Sequence, residues 1–413
     1  MKKIAEHGAL PTAPASAPVT GPRVALLAGL GALGSLATNI ILPAFPEMAA
    51  DLNVTERDLG LTLSSFFIAF GVGQLFVGPL SDRFGRIWPL LVGAVIFVAG
   101  STICALASNL DMMIAGRILQ ALGACATAVL SRAIARDLYE GEALARVLAM
   151  VMVAMAAAPG FSPLIGSGLN HIFGWQLIFV GLAGFAIAIA VFHAASIGET
   201  RPATASRPPS LFQVAQAYGQ LAGDRRFIFP ALSVGLILGS LYTFFAAAPS
   251  ILITTIGLSS FQLALYFAAT VVIVFSAGFL APRLSAHLGA HGAAMTGALA
   301  AVTGSLIILT FSGTPSLWTL TAGLALFLFG MGLLNPIGTA ITLGPFGAQA
   351  GLASALLGFL QMGCAAVGAT LASMMDLPPA VALGLVMSVG SLLAAITFAG
   401  VFLKAGRSAQ PQA

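Results

Sequence analysis

Gly78-Pro79-Leu80-Ser81-Asp82-Arg83-Phe84-Gly85-Arg86 is the stretch whose reading decides the fold. It places Asp82, Arg83 and Arg86 in one short segment, while the runs at 59–79 and 88–107 hold no Asp, Glu, Lys or Arg. Each flanking run has the length of about 20 residues that a helix needs to cross roughly 30 Å of hydrocarbon. The segment therefore reads as a tight turn at a membrane surface. Gly78 and Gly85 permit close approach and a sharp reversal, and Asp82 falls at a helix end, where its charge meets a helix dipole or an arginine.

The same pattern repeats along the chain. Apolar runs fall at 24–43, 59–79, 88–107, 112–134, 147–169 and 175–195, then at 227–249, 261–281, 292–311, 317–341, 352–374 and 381–403. The protein is 59% hydrophobic and 7% charged over 413 residues, against about 25% charged in an ordinary soluble protein. So few charges cannot coat a water-facing surface of this size. The sequence predicts an all-α integral membrane protein with twelve spans.

Charge placement sets the expected topology. With the N-terminus in the cytoplasm and strict alternation, Lys2, Lys3, Arg23, Arg83, Arg86, Arg132, Arg136, Arg146, Arg201, Arg207, Arg225, Arg226, Arg283, Lys404 and Arg407 all fall on the cytoplasmic side. Arg57 alone falls outside, and Arg117 lies within a span. That is the asymmetry of the positive-inside rule. It accounts for the net charge of +4 without a nucleic-acid partner. The expected location is a bacterial inner membrane, with both ends cytoplasmic. Lys2 and Lys3 precede a polar, Pro/Ala-rich stretch rather than an apolar core, so no signal peptide is expected.

The domain reading is a disordered tail at 1–22, a six-helix bundle at 23–195, a cytoplasmic linker at 196–226, a second six-helix bundle at 227–403 and a tail at 404–413. The halves echo each other: Ser81-x-x-x-Gly85 in the loop after the second span has a counterpart in Ser285-x-x-x-Gly289 after the eighth. Such an echo suggests parallel repeats about an axis along the membrane normal.

Several motifs together resemble the major facilitator superfamily. Gly78–Arg86 is similar to its G-x-L-S-D-R-x-G-R loop, and Gly116-Arg117-Ile118-Leu119-Gln120-Ala121-Leu122-Gly123 to its R-x-x-Q-x-x-G motif. Ala158-Pro159-Gly160-Phe161-Ser162-Pro163-Leu164-Ile165-Gly166-Ser167 resembles the proline–glycine motif of its antiporters, in the form of the Bcr/CflA drug-resistance subfamily. Thr38–Leu52 resembles that subfamily's T-D-x-Y-L-P-A-x-P pattern, with Asn39 in place of the aspartate and Ile41 in place of the tyrosine. The resemblance implies a drug/proton antiporter working by alternating access. It needs no cofactor beyond a proton gradient and suffices as a monomer. It implies a conformational switch from Gly78, Asp82, Arg83, Gly85 and Arg86, with Arg136 as partner for Asp82, and from Pro159, Gly160, Pro163 and Gly166.

Asn39 complicates coupling. Every Asp and Glu maps to a loop, a tail or a helix end, whereas proton-coupled carriers usually hold a titratable group within the membrane. Two readings stay open. Coupling uses a peripheral acid such as Glu47, Asp51 or Asp111, or a histidine such as His193; or Arg117, unopposed by a buried acid, binds an anionic substrate, as in a facilitator or ion-coupled carrier for a neutral or anionic metabolite.

Polar residues within spans are the candidates for a central small-molecule site: Asn39, Arg117, Gln120, Tyr242, Asn335 and Gln361, with Gln74 and Tyr266. Phe66, Phe67, Phe70, Phe244, Phe245, Phe267 and Met362 are candidate apolar walls. The histidines form no catalytic or metal-binding cluster, and Cys104, Cys125 and Cys364 lie singly in apolar runs, so neither an enzyme nor a metal site is expected. No filter sequence or charge ring suggests a channel.

The topology makes a direct prediction. A cysteine introduced at Ala205 will be labelled by a membrane-impermeant maleimide only after cells are opened. Labelling in intact cells would overturn the assignment of both ends to the cytoplasm.

Overall fold

The computed structural model describes residues 18–201 and 210–408. The expected tail at 1–17, the linker segment with Arg207 and the last residues, 409–413, lie outside the described residues. The helices are α1 (Gly21–Asn39), α2 (Phe45–Leu52), α3 (Glu56–Phe84), α4 (Ile87–Ala105), α5 (Leu110–Leu138), α6 (Gly141–Phe173), α7 (Gln176–Ser196), α8 (Leu211–Gly223), α9 (Arg225–Ala248), α10 (Ser260–Thr310), α11 (Leu317–Leu343), α12 (Ala350–Met374) and α13 (Pro379–Ser408). A 3-10 turn, Leu42–Ala44, joins α1 to α2, and a π-helical turn, Pro249–Thr255, extends α9.

Eleven helical stretches are long and apolar enough to span a membrane. One of them, α10, holds 51 residues; straight, it would reach roughly 77 Å, over twice the hydrocarbon thickness. Gly289 breaks it at φ 71°, ψ 163°, so 260–288 and 290–310 cross separately and the spans number twelve. Gly85 reverses the chain in the same way at φ 88°, ψ 179°. The loop echo in the sequence is therefore a shared backbone conformation that a side chain rarely adopts.

Helix starts follow local chemistry. Thr55 with Asp58, Ser210 with Gln213, Ser259 with Gln262, and Ser316 with Thr319 form reciprocal capping boxes, satisfying donors that a helix N-terminus leaves free. Asp224 caps α9.

Lipid gives no hydrophobic drive for helices to associate, so close contact through small residues holds the bundle. In the first half Gly93 and Gly100 on α4 meet α5 at Gly123 and Gly116: a Cβ on Gly100 would lie 2.7 Å from the Gly116 carbonyl oxygen. In the second half Gly297 and Gly304 of α10 meet Gly330 and Gly323 of α11, and a Cβ on Gly297 would lie 2.7 Å from the Gly330 carbonyl. All four glycine pairs have the same seven-residue spacing, a second mark of the repeat that the sequence reading did not use. Between the halves, α3 lies along α12 and α6 along α10.

The linker holds more order than expected, because α8 lies within it. Its Val214 and Leu221 are buried, and Leu221 joins Phe227, Ala353, Leu356 and Leu357 in a cluster that Leu75 of α3 adjoins. Tyr218 donates its hydroxyl to the Leu75 carbonyl at 3.0 Å. That carbonyl is free because its partner four residues on is Pro79, which has no N–H.

Valine at Gly330 or Gly123 must push two helices apart. Each variant should lose about 1–3 kcal/mol and unfold at lower temperature in detergent, whereas Gly278→Val, which has open space, should match the parent. Equal midpoints for all three would refute glycine-mediated contact.

Candidate functional site

Arg117 sits on α5 in the first half and is 0% exposed. One terminal nitrogen, Nη1, donates to the Ala37 carbonyl of α1 at 2.9 Å and to the side-chain oxygen of Gln120. Gln120 in turn donates to Ser101 of α4 at 2.8 Å. The guanidinium carbon lies 4.4 Å from the centre of the Phe66 ring of α3, within cation–π range. The other two nitrogens, Nε and Nη2, are buried with no partner among the described residues. Elements α1, α3, α4 and α5 thus converge on one cation, and each partner they supply is neutral.

Aromatic rings continue from this point across the boundary between the halves. Phe66 stacks on Phe70 with centroids 6.0 Å apart. Phe67 meets Tyr242 of α9 at 4.5 Å, Tyr242 meets Phe245 at 5.8 Å, and Phe245 meets Phe267 of α10 at 5.4 Å. Tyr242 therefore belongs to the same cluster as Arg117, and the aromatic walls expected from the sequence are assembled.

The other candidates separate. Asn39 turns its amide back on its own helix, donating to the Ser35 carbonyl at 2.9 Å and to the Thr38 hydroxyl at 3.0 Å. Asn335 and Gln361 are half-buried, and among the described residues neither side chain makes a hydrogen bond. Gln74 is consumed by helix contact, its amide filling the space beside Gly358 of α12. Tyr266 is displaced from the expected site: it accepts from Thr321 at 3.2 Å and lines a groove between α10 and α11 with Trp318, which is 84% exposed.

The switch residues form a charged network at the face where α8 lies. Arg86 pairs with Asp82 at 2.7 Å and with Asp137 of α5 at 2.8 Å, and also donates to Ser81 at 2.8 Å. The expected partnership of Asp82 with Arg136 is corrected: Asp82 sits four residues before Arg86 and pairs with it, while Arg136 is exposed and forms no ion pair among the described residues. Arg83 instead lays its guanidinium 5.4 Å from the Phe84 ring centre.

Glu199, just past α7, was not singled out as a site residue. Its carboxylate accepts from the backbone N–H groups of Arg86, Ile87, Thr200 and Arg201 at 2.8–3.2 Å. Burial raises its pKa, but these four donors outweigh that and hold the carboxyl below the usual glutamate range. The carboxylate also occupies the space a side chain at Gly85 would need. The only available signal was Glu199-Thr200 at the close of the sixth span.

The proline–glycine segment joins three helices. Gly166 lies against the Ile40 carbonyl after α1, and Gly160 against Val271 of α10. Helix α6 continues without a break through Pro159 and Pro163.

Contacts between halves are uneven along their length. Away from α8, Arg57 donates to the Leu377 carbonyl, Thr254 donates to Glu56 at 2.7 Å, and Gly60 fits against Ser373. Gly71 against Met362 and Gln74 against Gly358 continue the α3–α12 seam inward. At Gly78, further along the same helix, nothing lies within 4 Å of where a Cβ would stand.

A profile of the Major Facilitator Superfamily matches residues 27–369. The chain is 30% identical to Multidrug resistance protein D of Escherichia coli (strain K12), over 94% of this chain and 97% of that protein. It is equally identical to a protein of Bacillus subtilis (strain 168) called an uncharacterized MFS-type transporter, over 91% and 94%. Among solved structures, a bacterial homolog of the human lysosomal transporter Spinster, in an inward-facing and unoccupied conformation, superposes with a TM-score of 0.70 at 15% identity, covering 93% of this chain and 96% of that one. With twelve spans in paired bundles and a profile match over most of its length, this multi-pass membrane protein belongs to the Major Facilitator Superfamily of transporters.

Proposed function

We propose that the protein exports small organic compounds across a bacterial inner membrane by alternating access, as a drug/proton antiporter. The site is the Arg117–aromatic cluster at the boundary of the halves. The observation that carries this reading is the uneven seam: the halves touch away from α8, whereas the space beside Gly78 is open. That is one end state of a rocking carrier. The face with α8 is assigned to the cytoplasm, following the basic residues, so this state opens inward. The name of the Escherichia coli relative supports drug-type cargo.

In this mechanism α3 and α12 close towards each other beyond Gly78, and the Asp82–Arg86–Asp137 network changes partners as they do. For protons, the candidate carrier is His193, whose imidazole is buried in α7 with neither ring nitrogen bonded among the described residues. A monomer suffices, since each half supplies part of the site.

Inverted vesicles with an acidified lumen should accumulate at least one dye from a panel of neutral, cationic and anionic aromatics, and nigericin should stop it. Accumulation indifferent to nigericin would replace antiport by facilitation or another ion, and no accumulation of any dye would remove the export reading. Asp82→Asn should slow transport at least about tenfold, equal to about 1.4 kcal/mol on the barrier, and shift spin-label distances across the α8 face; unchanged rates and distances would exclude a switch role. Arg117→Ala should insert normally and transport nothing, and normal transport by it would exclude Arg117 from the site.

A further inference from the structure

We infer that the cargo is an amphipathic aromatic monoanion whose carboxylate docks on the Nε–Nη2 edge of Arg117; the inference rests on the central site proposed above. A guanidinium offers hydrogen bonds in its plane and a π surface on its face. Both uses are separated here. The face lies over Phe66, with the guanidinium carbon 4.4 Å from the ring centre, and Nη1 is taken by Ala37 and Gln120. What remains is Nε with Nη2, both buried and unpartnered. These two nitrogens share the side of the guanidinium that presents parallel N–H bonds, the fork that binds a carboxylate in bidentate fashion.

Among the described residues no carboxylate pairs with Arg117. Arg86 pairs with Asp82 and Asp137, and Arg226 with Asp224, whereas the partners of Arg117 are a carbonyl, an amide oxygen and a ring. Buried N–H groups of a cation left unbonded forfeit their hydration without recompense. A ligand anion recovers that cost on binding. A cation would instead meet an unneutralised like charge in a medium of low dielectric. The ring of Phe66 against the guanidinium, with Phe70 and Phe67 packed on it and Tyr242 on Phe67, supplies the surface for a flat apolar body joined to the carboxylate.

Three probes of one shape test the charge: 2-naphthoate, 2-naphthamide and (2-naphthylmethyl)trimethylammonium. Binding is read as thermal stabilisation of the purified protein in a neutral detergent free of anionic lipid. Naphthoate should bind at least about tenfold more tightly than either analogue. Arg117→Lys, which keeps the charge but loses the fork, should erase most of that advantage. Equal or tighter binding of the amide or the ammonium probe by the unaltered protein would overturn the inference, as would an undiminished carboxylate preference in Arg117→Lys. The first comparison needs no variant, so a misfolded Arg117→Lys leaves the claim refutable. Because this readout is binding, it is separate from vesicle export: dyes exported with no carboxylate preference would defeat the charge class alone, and a carboxylate preference without export would defeat the export reading alone.

Discussion

The architecture depends on helices approaching until a glycine Cα rests on a neighbouring backbone carbonyl. In lipid, burial of apolar side chains rewards association little, because the solvent is as apolar as they are. Contact area and backbone proximity must do the work. The pairs Gly93–Gly123, Gly100–Gly116, Gly297–Gly330 and Gly304–Gly323 achieve this inside the two halves. Gly166 on Ile40 and Gly160 on Val271 hold α6 to the end of α1 and to α10. The large side chains are then free for other tasks, and Phe66, Phe67, Phe244 and Phe267 collect at the meeting of the halves with almost no exposure.

That tight frame makes the burial of Arg117 possible. Gly116 and Gly100 draw α5 onto α4, which brings Ser101 to Gln120 and fixes the amide that holds Nη1. The arginine cannot reach headgroups, since none of its surface is exposed. It is positioned by neutral groups on several helices, and its charge stays unneutralised by the chain.

The halves repeat in backbone and diverge in charge. Gly85 and Gly289 share a left-handed reversal, yet the positions beside Gly289 that correspond to Asp82 and Arg86 are Ala286 and Ala290. Only the first half carries the network of Ser81, Asp82, Arg86, Asp137, Glu199 and Thr200. Its ion pairs close within that half, and Glu199 and Thr200 join them from the start of the linker. From the linker, Tyr218 of α8 reaches the Leu75 carbonyl of α3 that Pro79 leaves free.

Spans, their number and the two-half division were legible in the sequence, because hydrocarbon thickness fixes the length of each apolar run and the charges that end it. So were the turn glycines, since only glycine tolerates that backbone, and Arg117 as a costly buried charge. The partners of those residues were not legible. Arg86 lies four residues after Asp82 and Arg136 lies on another helix, and which of them meets Asp82 depends on how α3 and α5 pack. Tyr266 and Tyr242 read alike in the sequence, and tertiary structure turned one to a peripheral groove and the other to the inter-half cluster. Asn39 looked like a cavity amide, but its helix end claims it. Sequence by itself set which segments lie in lipid, because transfer energy is a sum over local composition; which faces meet, and hence which nitrogens of Arg117 stay open, required the tertiary structure, because pairing depends on rotation and register between helices far apart in the chain.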